Sequence, residues 1–356
     1  MKILYVADAK SIHTQRWAKW FSAAGHDVHV ATFREADIPG VQVHRLPTLG
    51  LGKVGYFASI LFLKRLARRI RPDVVHAHYL TSYGFVAAAA HLRPLVVTAW
   101  GSDLLLSPRD SALAQWLVKT AIGRADMVTT VAEHMNGAAV ALGASSDAVI
   151  AIPFGVDCRL FVPPVVPAAS PPPLKIISTR NFAPIYSVDT LIDAVAQLSD
   201  LPLHLDLVGQ GPLRDQLEAA VGKLGLQSRV SFHGHVDHST LVSLLGQADV
   251  FVTTAVSDGN NVSLNEAMAC GPFPIATDIP ANAQWIDAQR NGLMFPVRDA
   301  TALAACIRAA AADAGLRARA SVENRAIVEA RADWRVGVLK VEKIYAKLAG
   351  TAEIIK

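Results

Sequence analysis

Two α/β domains, each a doubly wound parallel sheet, are predicted by three features of this chain. Apolar, β-branched runs alternate with helix-spaced segments in both halves, the pattern of parallel sheets covered by helices. A cluster of six prolines within residues 161–173 interrupts that alternation and favours extended, semi-rigid chain. At 356 residues the chain is long for one domain and comfortable for two.

In the first half, strands are expected at 2–7, 27–32, 41–46, 73–77, 94–98, 127–131 and 148–152, with helices between them, the first over about 14–24. The second half restarts with strands at 174–178, 203–208, 230–232 and 249–254. Its helices are expected over about 188–198, 211–225 and 262–269, the last ended by Gly271-Pro272. The tail, 333–348, reads as a last amphipathic helix. The domains are therefore placed at 1–158 and 174–332, with a linker at 159–173 and a terminal helical segment at 333–350.

Composition narrows the function. A hydrophobic fraction of 52% and a charged fraction of 18% exclude a disordered chain. Cys158, Cys270 and Cys306 are odd in number and far apart, which argues against a disulfide framework or zinc knuckle and for a reducing compartment. No signal peptide or spanning run is read, so the expected location is cytoplasmic, extending to the inner face of the membrane. Residues 1–158 carry 16 Lys and Arg against 11 Asp and Glu, and residues 159–356 carry 18 against 19, giving +5 and −1. That modest excess comes with no aromatic-interleaved basic stripe, so nucleic acid is not an expected partner. The helix expected over 53–71 combines aromatic and aliphatic residues with Lys64, Arg65, Arg68, Arg69 and Arg71. It reads either as an ordinary core-facing helix or as a basic amphipathic helix for an anionic membrane surface.

The densest chemistry lies at 257–274. A strand feeds a turn containing Asp258, Gly259, Asn260 and Asn261, and the turn feeds a helix through Val262 and Ser263 to Glu266. The unpaired N–H groups of such a helix start favour an anion such as a diphosphate. Ligands of doubly wound sheets gather at the carboxyl ends of the strands, so residues just past the other strands matter too. In the second half these are Arg180, able to clamp a diphosphate through paired N–H groups, then Tyr186, and then Gly209 and Gly211. In the first half His76 and His78 group with His13 and Asp103 at one sheet edge and read as a polar pocket. No G-x-G-x-x-G follows the first strand, which argues against a dinucleotide site. The run from His233 to His238 is not read as a metal site, because Gly234 breaks the strand and no fourth ligand is apparent.

The string Glu266-Ala-Met-Ala-Cys-Gly271, with an acid eight residues upstream at Asp258, resembles the E-x7-E signature of retaining nucleotide-sugar glycosyltransferases of family four. The resemblance covers nearly the whole chain loosely and 249–276 specifically. It implies the GT-B fold: two Rossmann-like domains facing a central cleft, the terminal helix crossing back to the first. It implies transfer of a glycosyl unit from a nucleoside-diphosphate sugar, with retention of configuration, to a glycan or lipid-linked acceptor in cell-envelope polysaccharide or glycolipid synthesis. On this reading Asp258, Glu266 and Arg180 serve catalysis, and Glu266 holds ribose hydroxyls. Arg180, Tyr186, Gly209, Gly211 and the 258–263 turn hold the donor, and His235 and Val236 border the base. Ser11, His13, His78, Trp100 and Asp103 bind the acceptor. No metal or other cofactor is implied, and no two aspartates lie two positions apart to form a D-x-D clamp. The chain departs from the family pattern in three places. Asp258 replaces a glutamate, Trp100 replaces a histidine, and Tyr186-Ser187 stand near where the family carries Lys-Gly. A nucleotide-sugar epimerase or a phosphorylase on the same frame, or a non-catalytic copy, are the alternatives.

Overall fold

The computed structural model describes residues 1–48, 55–164 and 173–350. Residues 53–54 of the expected basic helix and most of the expected linker, 165–172, lie outside these. The chain divides into two compact units, the first comprising Met1–Phe154 with Gly337–Lys356 and the second Gly155–Val336.

The first unit is a seven-stranded sheet made of β1 (Lys2–Val6), β2 (Asp27–Thr32), β3 (Gln42–Arg45), β4 (Val74–His78), β5 (Leu95–Ala99), β6 (Met127–Thr130) and β7 (Val149–Ala151). Its order is β3-β2-β1-β4-β5-β6-β7, and every pairing is parallel. Between the strands run α1 (Ile12–Ala23), α2 (Tyr56–Ile70), α3 (Phe85–Ala89), the short α4 (Ser102–Leu105) and α5 (Ser107–Asp110), α6 (Ala112–Arg124) and α7 (Asn136–Ala141). The second unit holds β8 (Leu174–Ser178), β9 (Leu203–Val208), β10 (Val230–Gly234), β11 (Val250–Thr253), β12 (Phe273–Thr277) and β13 (Leu293–Phe295) in the order β10-β9-β8-β11-β12-β13, again all parallel. Its helices are α8 (Val188–Ala196), α9 (Arg214–Lys223), α10 (His238–Gln247), α11 (Val262–Cys270), α12 (Pro280–Ala283), α13 (Ala300–Ala312) and α14 (Ala314–Arg331). The last helix, α15 (Trp334–Leu348), begins in the second unit and continues into the first.

Strand alternation explains the second core. Ile176 packs with Leu191, Leu205 and Ile307 on one side of the sheet, while its neighbour Ile177 packs with Phe251, Leu264 and Met268 on the other. Both faces are dry, which is why the strands read as continuous apolar runs rather than alternating ones.

In the first unit the central strand carries a buried polar chain. His76 on β4 is fully buried, its Nδ1 lies 2.5 Å from Tyr345 Oη and its Nε2 2.5 Å from Thr98 Oγ1. Tyr345 Oη donates to Tyr5 Oη at 3.2 Å, and Thr98 Oγ1 lies 2.6 Å from Thr129 Oγ1. The chain satisfies both nitrogens of an uncharged imidazole and ties α15 to β1, β4, β5 and β6. Tyr345→Phe removes the group that His76 Nδ1 and Tyr5 share and should cost about 1–3 kcal/mol of stability. Urea unfolding measures this, and an unchanged midpoint would show that the chain adds nothing.

Candidate functional site

The site of the second unit is organised by Arg180, which follows β8 and is 7% exposed. Its Nη2 donates to Asp258 Oδ2 at 2.6 Å and its Nη1 to Asn261 Oδ1 at 2.8 Å, while its guanidinium carbon stands 4.2 Å over the centre of the Tyr186 ring. Asn261 is the N-cap of α11, its Oδ1 accepting from Leu264 N–H at 3.1 Å. Its Nδ2 donates to Thr253 Oγ1 and Asn282 Oδ1, and Asn282 in turn donates to the Thr277 carbonyl. One hydrogen-bonded line thus crosses the carboxyl ends of β8, β11 and β12.

Gly209 and Gly211 support this line through packing. A Cβ at Gly209 would collide with the carbonyl of Arg180, and one at Gly211 with that of Phe182. The bare backbone lets Phe182 N–H donate to the Gln210 carbonyl and Leu213 N–H to the Phe182 carbonyl, which fixes the segment carrying Arg180. Tyr186 stands as a cushion under the guanidinium, its carbonyl accepting from Thr254 Oγ1 at 2.6 Å.

Around Arg180 the polar capacity is underused among the described residues. Ser178 Oγ, Thr179 Oγ1, Arg180 Nε, Asn260 Nδ2 and both amide atoms of Asn265 are buried without a hydrogen-bond partner. Unsatisfied buried polar atoms are costly, and their gathering at the carboxyl ends of a parallel sheet makes this a candidate ligand site. Gly259 is buried, Val262 and Glu266 are half-buried on α11, and Ser263 Oγ donates to the Thr179 carbonyl. His235 is exposed, and Val236 packs at the edge of the core below.

In the first unit a cavity of about 270 Å³ opens at the ends of β1, β4 and β5. Asp8, Ser11, His78, Tyr79, Ser82, Tyr83 and Trp100 line it. His78 is 1% exposed, its Nδ1 lies 3.4 Å from Thr14 Oγ1, and its Nε2 and Trp100 Nε1 have no partner among the described residues. Burial, then the nearby His13, lowers the His78 pKa to about 3, so the ring is neutral at pH 7. His13 lies beside rather than in the lining, stacked on Phe154 at 4.1 Å and edge-on to Trp100. Asp103 is fully buried and accepts from the N–H groups of Leu80, Trp100 and Gly101. It braces the turn that presents Trp100 and offers nothing to the cavity. His76, two residues before His78 on the same strand face, belongs to the Tyr345 chain. Asp8, Tyr79, Ser82 and Tyr83 were not singled out from the sequence; position after a strand could have flagged Asp8 and Tyr79, while Ser82 and Tyr83 sit on a helical turn at Leu80–Gly84 with no local signal.

Two parallel-sheet Rossmann-like units with polar clusters at their strand ends are the GT-B architecture of glycosyltransferases. Residues 2–132 match the family model described as "Glycosyl transferase 4-like", and residues 166–326 the one described as "Glycosyl transferases group 1". The chain is 23% identical over 313 residues to N-acetyl-alpha-D-glucosaminyl L-malate synthase of Bacillus anthracis, covering 80% of each chain. It is 27% identical over 306 residues to D-inositol 3-phosphate glycosyltransferase of Xylanimonas cellulosilytica, covering 77% of this chain and 72% of that one. Among solved structures, sucrose-phosphate synthase from Thermosynechococcus elongatus superposes with a TM-score of 0.85 at 20% identity, covering 98% of this chain and 100% of that one. HepE of Anabaena, in complex with UDP, gives a TM-score of 0.81 at 21% identity over the same shares. The chain belongs to glycosyltransferase family four, an enzyme of the group 1 type.

The buried histidines set an acid limit. His78 has its folded pKa depressed to about 3, and burial with the nearby His78 holds His76 well below 6.5. Both therefore contribute stability that is present above pH 6.5 and lost as pH falls, because only the unfolded chain takes up their protons. Asp103 acts in the opposite sense: desolvation raises it to about 6 from 3.8, so between those values the folded state holds the extra proton. His13, lowered to about 3 by burial and then by the nearby Arg16, joins the two histidines. Three protons taken up by the unfolded chain thus stand against one held by the folded chain, and stability falls as pH drops from 6 to 4. Urea midpoints across that range should fall accordingly, and His78→Phe should flatten the slope; a pH-independent midpoint would contradict the buried neutral histidines.

Proposed function

We propose that the protein transfers a sugar from a nucleoside-diphosphate sugar bound by the second unit to a glycan or lipid-linked acceptor bound by the first, with retention of configuration, in the building of a cell-envelope polysaccharide or glycolipid. The observation that carries this reading is Arg180, buried and held beside the first turn of α11. A guanidinium has five N–H donors, and Asp258 and Asn261 take two of them. Three remain for the diphosphate, including the unpartnered Nε. The solved structures of HepE with UDP and with UDP-glucose support a nucleotide ligand in this fold. The departing diphosphate needs charge stabilisation, which Arg180 and the helix amides supply in a low-dielectric site. The leaving phosphate takes the acceptor proton, so no protein nucleophile is assigned and no metal is required. Glu266 holds the ribose hydroxyls, and Asp258 and the 259–263 turn hold the sugar and phosphates.

Tyr186 takes the place of the family lysine by steadying Arg180 with its ring face. Arg180→Ala should lower kcat/KM about 100-fold or more, since charge-assisted hydrogen bonds are lost with no second cation to share them. Tyr186→Phe keeps the ring and should stay within about threefold, whereas Tyr186→Ala loses a cation–π contact worth about 2- to 30-fold. Nucleoside diphosphate release, measured in EDTA with a panel of donors and acceptors, tests this. Full rescue by manganese would reject the metal-free mechanism, and unchanged donor binding and release in Arg180→Ala and Glu266→Ala would move the site elsewhere.

We also propose that the first unit works against an anionic membrane. No helix among the described residues is long and apolar enough to cross a membrane. Helix α2 turns Ser59, Leu63, Leu66, Ala67 and Ile70 inward. Its outer face is divided lengthwise, with Phe57, Leu61 and Phe62 exposed first and Arg65, Arg68 and Arg69 after them. The apolar end continues onto α6, because Phe57 and Trp116 both contact Phe85, at 5.4 and 5.2 Å between ring centres. Neither helix contains an acidic residue, so a second copy of this surface would be repelled while anionic headgroups would be attracted. The protein should sediment with anionic vesicles at low salt, less at high salt, and Trp116→Ala should weaken binding at both. Equal sedimentation with neutral vesicles, or none with either, would leave α2 an ordinary core-facing helix.

A further inference from the structure

The cavity of the first unit holds an unequal set of charges. Its walls are three aromatic rings, Tyr79, Tyr83 and Trp100, two hydroxyls, Ser11 and Ser82, one imidazole, His78, and one carboxylate, Asp8. None of these lining residues is a cation. Resting on the reading of this cavity as the acceptor site, we infer that Asp8 makes it selective for an uncharged, hydroxyl-bearing ring and excludes acceptors whose entering group carries a phosphate or carboxylate.

The chemistry suits a neutral polyol. Sugar C–H faces pack on aromatic rings, and sugar hydroxyls both donate and accept. Asp8 can accept from them: Oδ1 takes the Lys10 N–H at 2.9 Å and Oδ2 an Arg34 N–H at 3.1 Å, which leaves lone pairs on both oxygens. His78 Nε2 and Trp100 Nε1 are the unpartnered nitrogens beside them, their rings 5.7 Å apart. An anion in the same place would meet the Asp8 carboxylate and gain no ion pair. Arg34 offsets Asp8 only weakly, because it is 64% exposed and screened by solvent. Protonating His78 could rescue an anion, but that ring stays neutral far below pH 7. One feature pulls the other way: α1 begins at Ile12, and its positive end amounts to about half a charge against the full charge of Asp8.

The test uses the full chain with its tryptophan indoles labelled with nitrogen-15, the Trp100 signal being assigned by its loss in Trp100→Phe. Methyl glycosides of glucose, galactose and N-acetylglucosamine are titrated beside glucose 6-phosphate and glucuronate at constant ionic strength. Neutral sugars should move the Trp100 signal at concentrations about tenfold or more below the anions, a typical effect of like-charge juxtaposition. Asp8→Asn should shrink that gap, and Arg34→Ala, which unmasks Asp8, should widen it. Anions that bind as tightly as neutral sugars, or a gap that neither variant changes, would overturn the inference. Thermal shift with UDP-, GDP- and ADP-sugars runs alongside. If these stabilise the protein while no sugar moves Trp100, the selectivity inference falls and the transferase reading stands. If none stabilises it, the transferase reading falls and takes the acceptor inference with it, and a preference for neutral sugars at Trp100 then marks a sugar site alone.

Discussion

All the strands of both sheets run parallel, and that single constraint decides where chemistry can occur. A parallel strand cannot turn back on its neighbour; it must leave the sheet at its carboxyl end and return through a helix. Every strand therefore delivers its next residue to the same edge. Asp8, Tyr79 and Trp100 reach that edge in the first unit, and Arg180, Gly209 and the 254–261 turn reach it in the second. The helices cover the faces, so the edge is where polar side chains can lie half in water and half in a low-dielectric wall.

Within the second unit the edge is stiffened before any ligand arrives. Asp258 and Asn261 hold Arg180 from one side and Tyr186 from below, while Gly209 and Gly211 admit the backbone that carries it. The cost of ordering a long cationic side chain is thereby met during folding rather than during binding. The Asp258 carboxylate also holds the local charge near zero, so an anion bound there would be held by directed N–H donors more than by net positive charge.

Much of this was legible in the sequence because local pattern and local chemistry coincide there. The alternating apolar runs, the start of the helix at Val262 and the isolated arginine after β8 each carry their meaning within a few residues. What was illegible depends on distant partners. His76 and His78 share a strand face and look alike, yet one is sealed by Tyr345, 269 positions away, and the other opens on a cavity. Asp103 reads as a site acid, but its oxygens belong to backbone amides brought round by the turn after β4 and the turn after β5. The outward division of α2 and its continuation onto Trp116 require knowing which side of each helix the sheet covers.

The Tyr345 chain also bears on the order in which the molecule can be made. Residues 155–336 form a unit that is continuous in sequence, whereas the first unit needs Gly337 onward to complete it. A ribosome releases the chain from its amino end, so β1, β4 and β5 emerge long before the helix that caps His76 and Tyr5. Until then His76 Nδ1 and Tyr5 Oη lack the Tyr345 hydroxyl and have water in its place. The core of the first half to be synthesised is thus completed only by the last helix to emerge.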